Sequence, residues 1–336
     1  MSAFNRETFS CASALLLLIG STAQAATLYV NCGGKGPLAS ITAALKVLRS
    51  SESNGPNTIN VAGACRENVQ IRNVQQLTLN AINGASITDT TNGVVETIGI
   101  YYSTGVTVSG FTVNGGGTSN GLSDAISIGQ AMAVLNGITA QFAASAGVGV
   151  YRGATVFING ATLQYNGYAG LGVFGGDANA AGVTSQQNWA GVVVDHAGRA
   201  QYRPTDPAYE GGSASVRAII TGNTNVGVLV QNHGEINCPS CEITNNSAGG
   251  VSLDLGAAAT FSRMYLVSGP PVAPLTITSN GGAGVSVGDL SSATFPYSQQ
   301  NGLISGNNAA QQIVCTGTGS VTRRAIQFDA GTKCPN

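Results

Sequence analysis

The chain has 336 residues, only 9% of them charged, and a formal net charge of −1. A globular chain usually carries about 25% charged residues, so the clustered Lys and Arg needed for nucleic acid or an anionic membrane surface are not there. Glycine is abundant, at 47 residues without a collagen period, and so marks turns.

Residues 1–25 read as an export signal: Arg6 in a short n-region, an apolar run from Cys11 to Gly20, and an Ala23-Gln24-Ala25 cleavage site. The run is too short to span a bilayer and no later stretch is longer, so no membrane span is expected. Residues 26–336 contain no linker between two compositions and read as one domain, since a solenoid grows along its axis without splitting its core. In this domain 26–57 form an N-terminal cap, 58–314 the coils and 315–336 a closing segment. A helix is predicted over Ser40–Ser50, where Ile41, Ala44, Leu45 and Leu48 share one face and Ser40 is placed as N-cap. Short β runs follow (TINVAG, NVQI, LTLNA, VVETIGIYY, VTVSG, FTVNG, AISIG).

From Ala146 to Asp289 the chain repeats itself. Gly147, Gly170, Gly191, Gly227, Gly250 and Gly284 each precede an alternating apolar run, with a period of about 22 residues and two longer steps. Alternation with period two is a strand pattern. Two further short β runs complete each unit, giving three strands and three turns. The solution is one coil of a parallel β-helix, about ten coils in all, with Val148, Val150 and their equivalents through Val287 stacked inside. Asn166, Asn188, Asn223, Asn245 and Asn280 precede the turns, where amides can bond from coil to coil. This pattern resembles the right-handed parallel β-helix, or pectin-lyase-like, superfamily over nearly the whole mature chain. The fold class expected is therefore all-β, a right-handed parallel β-helix. The resemblance is one of architecture, with no family's catalytic signature in it. It implies a helix over the open end and points toward carbohydrate-active chemistry.

Without Cys11 of the signal, six cysteines remain, in three local pairs: Cys32 and Cys65, Cys238 and Cys241, Cys315 and Cys334. In an exported chain these read as disulfides. Cys238-Pro-Ser-Cys241 could also be a redox or zinc motif, but it lies inside a coil and no second C-x-x-C completes a metal site. No metal is assigned. The G-x-G-x-x-G in Gly170-LGVFGG enters a strand inside a repeat instead of opening a helix, so it is no dinucleotide fingerprint.

In each Gly-V-x-V strand the residue after the second V points outward. That column reads Tyr151, Phe174, Asp195, Gln231, Asp254, Gly288, and the next reads Arg152, Gly175, His196, Asn232, Leu255, Asp289, with His233 adjoining. With coils ~4.8 Å apart, Asp195 and Asp254 should lie roughly 10 Å apart across Gln231. That approaches the separation of about 6.5–9.5 Å that admits a water in inverting glycoside hydrolysis. The longest insertion, Gln201-YRPTDPAYEGG, follows the Asp195 strand, and such loops often gather on a binding face. The catalytic candidates are therefore Asp195 and Asp254, one as general acid and the other as base, with His196 beside them and Arg203 to pair a uronate carboxylate. The substrate-binding candidates are Tyr151, Phe174, Gln231, His233, Tyr202, Tyr209 and Trp189. Trp189 and Tyr168 should stack on successive coils, as a sugar platform or as a plain aromatic ladder. The plainer alternatives are that the Asp residues end strands, that the histidines are surface residues, and that Arg203 ties down its loop.

The function expected is an exported protein that binds, and if catalytic cleaves, an extended polysaccharide. The alternative is a non-catalytic surface, adhesive or structural β-helix. A lyase would need a basic residue beside a calcium ion held by carboxylates. Lys35, Lys46 and Lys333 lie outside the regular coils and no dense acidic cluster exists, which disfavours it. Calcium enters only in that case, and no other cofactor is implied. The adjacent Asp pair of polygalacturonase-like hydrolases is absent, Ser123-Asp124-Ala125-Ile126 being only a faint echo. Location after export (secreted, periplasmic or cell-surface) and oligomeric state are left open.

Overall fold

A computed structural model describes residues 25–34, 36, 38–50, 55–117, 122–203, 216–261, 274–295, 302–310, 312–323, 326–328 and 332–334. The expected signal segment lies outside these apart from Ala25, and so do residues 204–215 with Tyr209. No helix among the described residues is long and apolar enough to cross a membrane.

The chain winds as a parallel solenoid. One sheet, here called the face, stacks eleven strands in strict chain order from Val69–Arg72 and Ile98–Tyr101 to Ile313–Cys315 and Thr332–Lys333. Its register pairs Val148 with Leu171, Leu171 with Val192, Val192 with Val228, Val228 with Val251 and Val251 with Val285. These are the repeats legible in the sequence. From each face strand the chain passes through a tight turn to a second strand, turns a corner to a third, and returns to the face one coil on. In the first coils the second and third strands are continuous, as in Asn57–Arg66 and Gln75–Thr88.

Both V positions of every face strand point into the core. Val148, Val150, Leu171, Val173, Val192, Val194, Val228, Val230, Val285 and Val287 are fully buried, and Val251 and Leu253 are 1% exposed. Each such side chain contributes roughly 1.5–3 kcal/mol of burial. The turn after the face strand takes a left-handed residue in coil after coil: Tyr102, Gln130, Arg152, His196, Asn232 and Leu255 all have φ between 48° and 56°. The column beginning at Arg152 is thus a set of turn residues.

A buried amide ladder runs beside the face. Asn166 Nδ2 donates to Asn188 Oδ1 (2.9 Å), Asn188 to Asn223 (3.3 Å), Asn223 to Asn246 (2.8 Å), Asn246 to Asn280 (2.9 Å) and Asn280 to Asn307 (2.8 Å). Gln312 closes it by accepting from Asn307. The rung in the seventh coil is Asn246, not Asn245. Asn245 is exposed at φ 57° in the turn just before it.

The N-terminal helix, Ile41–Ser50, covers the open end. Ser40 Oγ accepts from Ala43 N (3.1 Å), as its N-cap role requires. Glu67, from the coil beneath, accepts from Ile41 N at 2.7 Å and from Thr42 N at 2.9 Å. It satisfies two more of the donors that a helix start leaves free. Disulfides join Cys32 to Cys65, Cys238 to Cys241 and Cys315 to Cys334. The first and last tie the terminal strands to their neighbours. Cys238–Cys241 spans the corner between the second and third strands. Among the described residues one group, Cys32, Cys65 and Glu67, has metal-ligand spacing, and it consists of a disulfide and the helix-capping carboxylate.

Candidate functional site

The outer surface of the face carries three columns of side chains, and the pairing extends them upstream of Ala146. The third column reads Arg72, Tyr101, Gly129, Tyr151, Phe174, Asp195. The middle column reads Gln70, Gly99, Ser127, Gly149, Gly172, Val193. One register step before it, Glu96 and Asp124 stand where later coils have Ala146, Ala169 and Ala190. The floor is therefore small and the edge is aromatic. Only glycine lets the rings lie back over the sheet. A Cβ on Gly149 would come 2.1 Å from Asp124 Oδ2 and 2.6 Å from the Tyr151 ring, and one on Gly172 would come 2.6 Å from the Phe174 ring.

Four rings form a continuous ladder over coils four to six. Tyr151 stacks on Phe174 (5.2 Å between centroids), Phe174 on Tyr168 (6.4 Å) and Tyr168 on Trp189 (5.2 Å). Their planes are 14–21° apart, so most ring faces meet another ring. Tyr168, Phe174 and Trp189, together with Leu229, roof a small apolar cluster, Ala146, Ala169, Ala190, Val193 and Val226. The two end rings adjoin hollows. Trp189 borders one of about 380 Å³ with Asn225, Val226, Leu229 and Ser252. Tyr151 borders a larger cavity of about 490 Å³, whose walls include Arg72, Glu96, Tyr101, Asp124, Ser127 and Arg152.

The larger cavity holds a hydrogen-bonded acid network. Asp124 Oδ2 accepts from Ser127 Oγ (2.7 Å) and the Tyr151 hydroxyl (2.9 Å), and its Oδ1 accepts from Ala146 N (2.9 Å). Glu96 Oε1 accepts from the Tyr101 hydroxyl (3.0 Å) and Gln70 Nε2 (3.0 Å). Each carboxyl thus takes a hydroxyl donor of its own, Tyr101 on Glu96 and Ser127 on Asp124. Burial pushes the Asp124 carboxyl above the usual carboxylate range, against the pull of its hydrogen bonds. Burial and the nearby carboxylates raise Tyr101 to about 12 and Tyr151 further still, so both phenols stay protonated. The Arg72 guanidinium lies 4.3 Å from the Tyr101 ring centroid.

Of the site read from the sequence, the structure aligns Tyr151, Phe174, Asp195, Gln231 and Asp254 along one edge of the face, with Trp189 near its other edge. It corrects the role of several. Asp195 is 6% exposed and its oxygens are engaged by Gln231 Nε2 (2.9 Å), Asn232 Nδ2 (2.8 Å) and His196 N (2.6 Å). Burial raises its pKa, but these donors outweigh that and hold the carboxyl below its usual range. Asp195 is thus an ionised, turn-anchoring carboxylate, the opposite of what a general acid requires. Asp254 is exposed and accepts from Leu255 N (2.9 Å). His196 and His233 are exposed turn residues, with φ of 53° and 63°. Tyr202 lies in the core at 1% exposure, on the second strand Arg199–Arg203, and cannot line a groove. Its hydroxyl has no hydrogen-bond partner. Tyr202→Phe is therefore expected to leave the thermal midpoint unchanged or raise it, by up to about 1 kcal/mol of stability. A clear drop would show that the hydroxyl is bonded. Arg203 ends that same strand, and the insertion leaves from the corner between second and third strands, so its anchors do not adjoin the Asp195 turn. The second long insertion, 262–273, leaves from the same corner.

The Glu96–Asp124 network was not read from the sequence. The signal was present in IGIYY and ISIGQ, which match VGVYR once the register is carried back two coils.

The chain folds as a right-handed parallel β-helix. No protein-family model matches it, and no curated protein sequence is significantly similar. Among solved structures it is similar to the enzymatically active domain of bacteriophage CBA120 tailspike protein 2. The TM-score is 0.52 at 11% identity, over 90% of this chain and 46% of that one. The chain thus spans about half the length of that tailspike domain. It is also similar to the A-module of the Azotobacter vinelandii mannuronan C-5 epimerase AlgE6 (TM-score 0.44, 12% identity, 88% of this chain and 92% of that one) and to pectate lyase Pel9A (TM-score 0.35, 13% identity, 93% and 78%). At these identities the likeness is one of fold.

Proposed function

We propose that this is an exported protein that binds an extended polysaccharide along the face. The observation that carries the reading is the aromatic ladder with a hollow at each end. A pyranose has apolar C–H faces and a polar rim, so it suits an end ring with polar groups around it. The face is a continuous sheet of eleven strands, long enough for an extended chain. Three disulfides fit an oxidising compartment. The similarity to a tailspike's enzymatic domain, a mannuronan epimerase and a pectate lyase is in keeping with a carbohydrate partner.

The test is affinity electrophoresis of the oxidised protein through gels containing polygalacturonate, alginate or a neutral β-glucan. Wild-type protein should be retarded by at least one of them. Trp189→Ala removes the ring face at the smaller hollow and should weaken retention about tenfold, the equivalent of roughly 1.4 kcal/mol. Equal retention of wild type and variant, or no retention by any of the gels, would overturn the assignment.

A further inference from the structure

The larger cavity has more chemistry than binding needs. Two carboxyls stand one coil apart in it, Asp124 and Glu96, each held by hydroxyl donors. They sit in unlike surroundings. Asp124 is 2% exposed beneath Tyr151 and Ser127, and Glu96 is half-buried at the wall. Later coils fill the same column with Ala146, Ala169 and Ala190, so the coil architecture does not require acids there. Gly99 and Gly149 keep the floor clear for them: a Cβ on Gly99 would fall 2.4 Å from Glu96 Oε1.

Resting on the polysaccharide reading of this face, we propose that the cavity is an acid–base site that hydrolyses a glycosidic bond. Tyr151 delivers the proton that Asp124 holds, and Glu96 receives one from the attacking water. The Tyr151 hydroxyl touches the substrate and Asp124 acts through it. With Asp124 protonated, the 2.9 Å bond to Tyr151 runs from the carboxyl to the phenol oxygen and frees the Tyr151 proton. As the carbon–oxygen bond breaks, its electron pair stays on the leaving oxygen, which takes the Tyr151 proton while the Asp124 proton moves to the Tyr151 oxygen. Water forms the new bond to the anomeric carbon and gives its proton to the Glu96 carboxylate. The site then resets through solvent: Glu96, half-buried at the cavity wall, releases its proton to water, and Asp124 regains one through the Tyr151 hydroxyl. Unlike environments for two carboxyls are what separate an acid from a base at one pH, and of the two it is the enclosed Asp124 that burial pushes toward the protonated form.

The experiment has a binding arm and a turnover arm, both on the oxidised full chain. Retention in polysaccharide gels is measured beside release of reducing ends from the same polymers and of 4-nitrophenol from a panel of aryl glycosides. Glu96→Gln, Asp124→Asn and Tyr151→Phe should each lower kcat by about 10²–10⁴-fold with KM and retention nearly unchanged. Azide should restore turnover to Glu96→Ala by replacing the water. Circular dichroism checks that the variants fold; should Asp124→Asn not fold, the half-buried Glu96 variants still decide the matter. Retention without release of either product overturns the catalytic proposal and leaves the binding reading intact. Turnover that survives both Glu96→Gln and Asp124→Asn overturns it equally. Aryl-glycoside turnover lost in these variants, without retention on any polymer, supports the site and overturns the polysaccharide reading. Neither retention nor turnover overturns both.

Discussion

Asn223→Ala is expected to destabilise the protein by about 3–5 kcal/mol, a large share of a domain's net stability. The residue is fully buried in the amide ladder. Its Oδ1 accepts from both the backbone N (3.0 Å) and the side-chain Nδ2 (3.3 Å) of Asn188, and its Nδ2 donates to Asn246 Oδ1 (2.8 Å). Alanine would strand the Asn188 backbone N–H in the interior and remove the donors that Asn223 Nδ2 gives to Ser185 O and Asn246 Oδ1. Each unmet group there costs about 1–3 kcal/mol. The damage would not stay local, because each rung orients the next and the ladder crosses six coils. The control is Asn245→Gly, one residue before the Asn246 rung. Asn245 is exposed and left-handed, a conformation glycine adopts freely, so its unfolding midpoint should hardly move. Urea unfolding of the oxidised proteins measures both. Equal midpoints for the two variants would mean the ladder does not stabilise the fold.

This neighbouring pair shows where a repeat is legible and where it slips. The face strands could be read from the sequence because alternation has only two phases, and a one-residue error would bury every polar neighbour. Val192 and Val194 must point in if Val193 points out. The ladder has no such constraint. At Asn245-Asn246 two amides compete for one rung, and only the left-handed turn at the first assigns the second to the interior. The insertion after Arg203 was misplaced for a related reason. Nearness in sequence to Asp195 suggested one corner, but the strand Arg199–Arg203 carries the chain to the next corner before the insertion begins.

The acid cavity was hidden by the irregular first coils, whose long turns break the period of about 22 residues. Carried back through the pairing, Tyr101 and Gly129 fall into line with Tyr151, and Glu96 and Asp124 with Ala146. A solenoid repeats its core far more faithfully than its surface, since inward positions must fill a fixed cross-section and outward ones need only remain compatible with the turns. Departures from the consensus on the outer face are therefore where chemistry is found. Asp195 also departs from it, but there the neighbouring side chains and turn amide satisfy its carboxylate. At Asp124 the donors do not outweigh burial. Two aspartates of the same sheet face thus take opposite protonation tendencies, and that difference was invisible in residue type and spacing.

Leu45→Asp is expected to have an effect of similar size at the end of the solenoid, of a different kind. Leu45 is 4% exposed on the helix Ile41–Ser50, whose other inward residues, Ile41, Ala44 and Leu48, are also buried. They share one core with Val30, Ile59, Val61 and Ile71, the topmost layer of the coils. A carboxylate there would have no charge partner in an apolar layer, at a cost of several kcal/mol. The cheapest escape is for the helix to lift off while the coils below stay wound, because each coil is stabilised mainly by its neighbours. An uncovered end presents unpaired backbone groups and apolar side chains, which invite pairing with another chain. The expected result is a small early unfolding step in urea and concentration-dependent association in light scattering, both absent from wild type. Cys32–Cys65 lies beneath the helix and should survive, so the effect is read without breaking the staple. Glu67→Gln should give a weaker version, since the amide still accepts one of the donors that the carboxylate takes from Ile41 and Thr42. A Leu45→Asp protein that unfolds in one step at the wild-type midpoint, without association, would show that the helix does not protect the end of the β-helix.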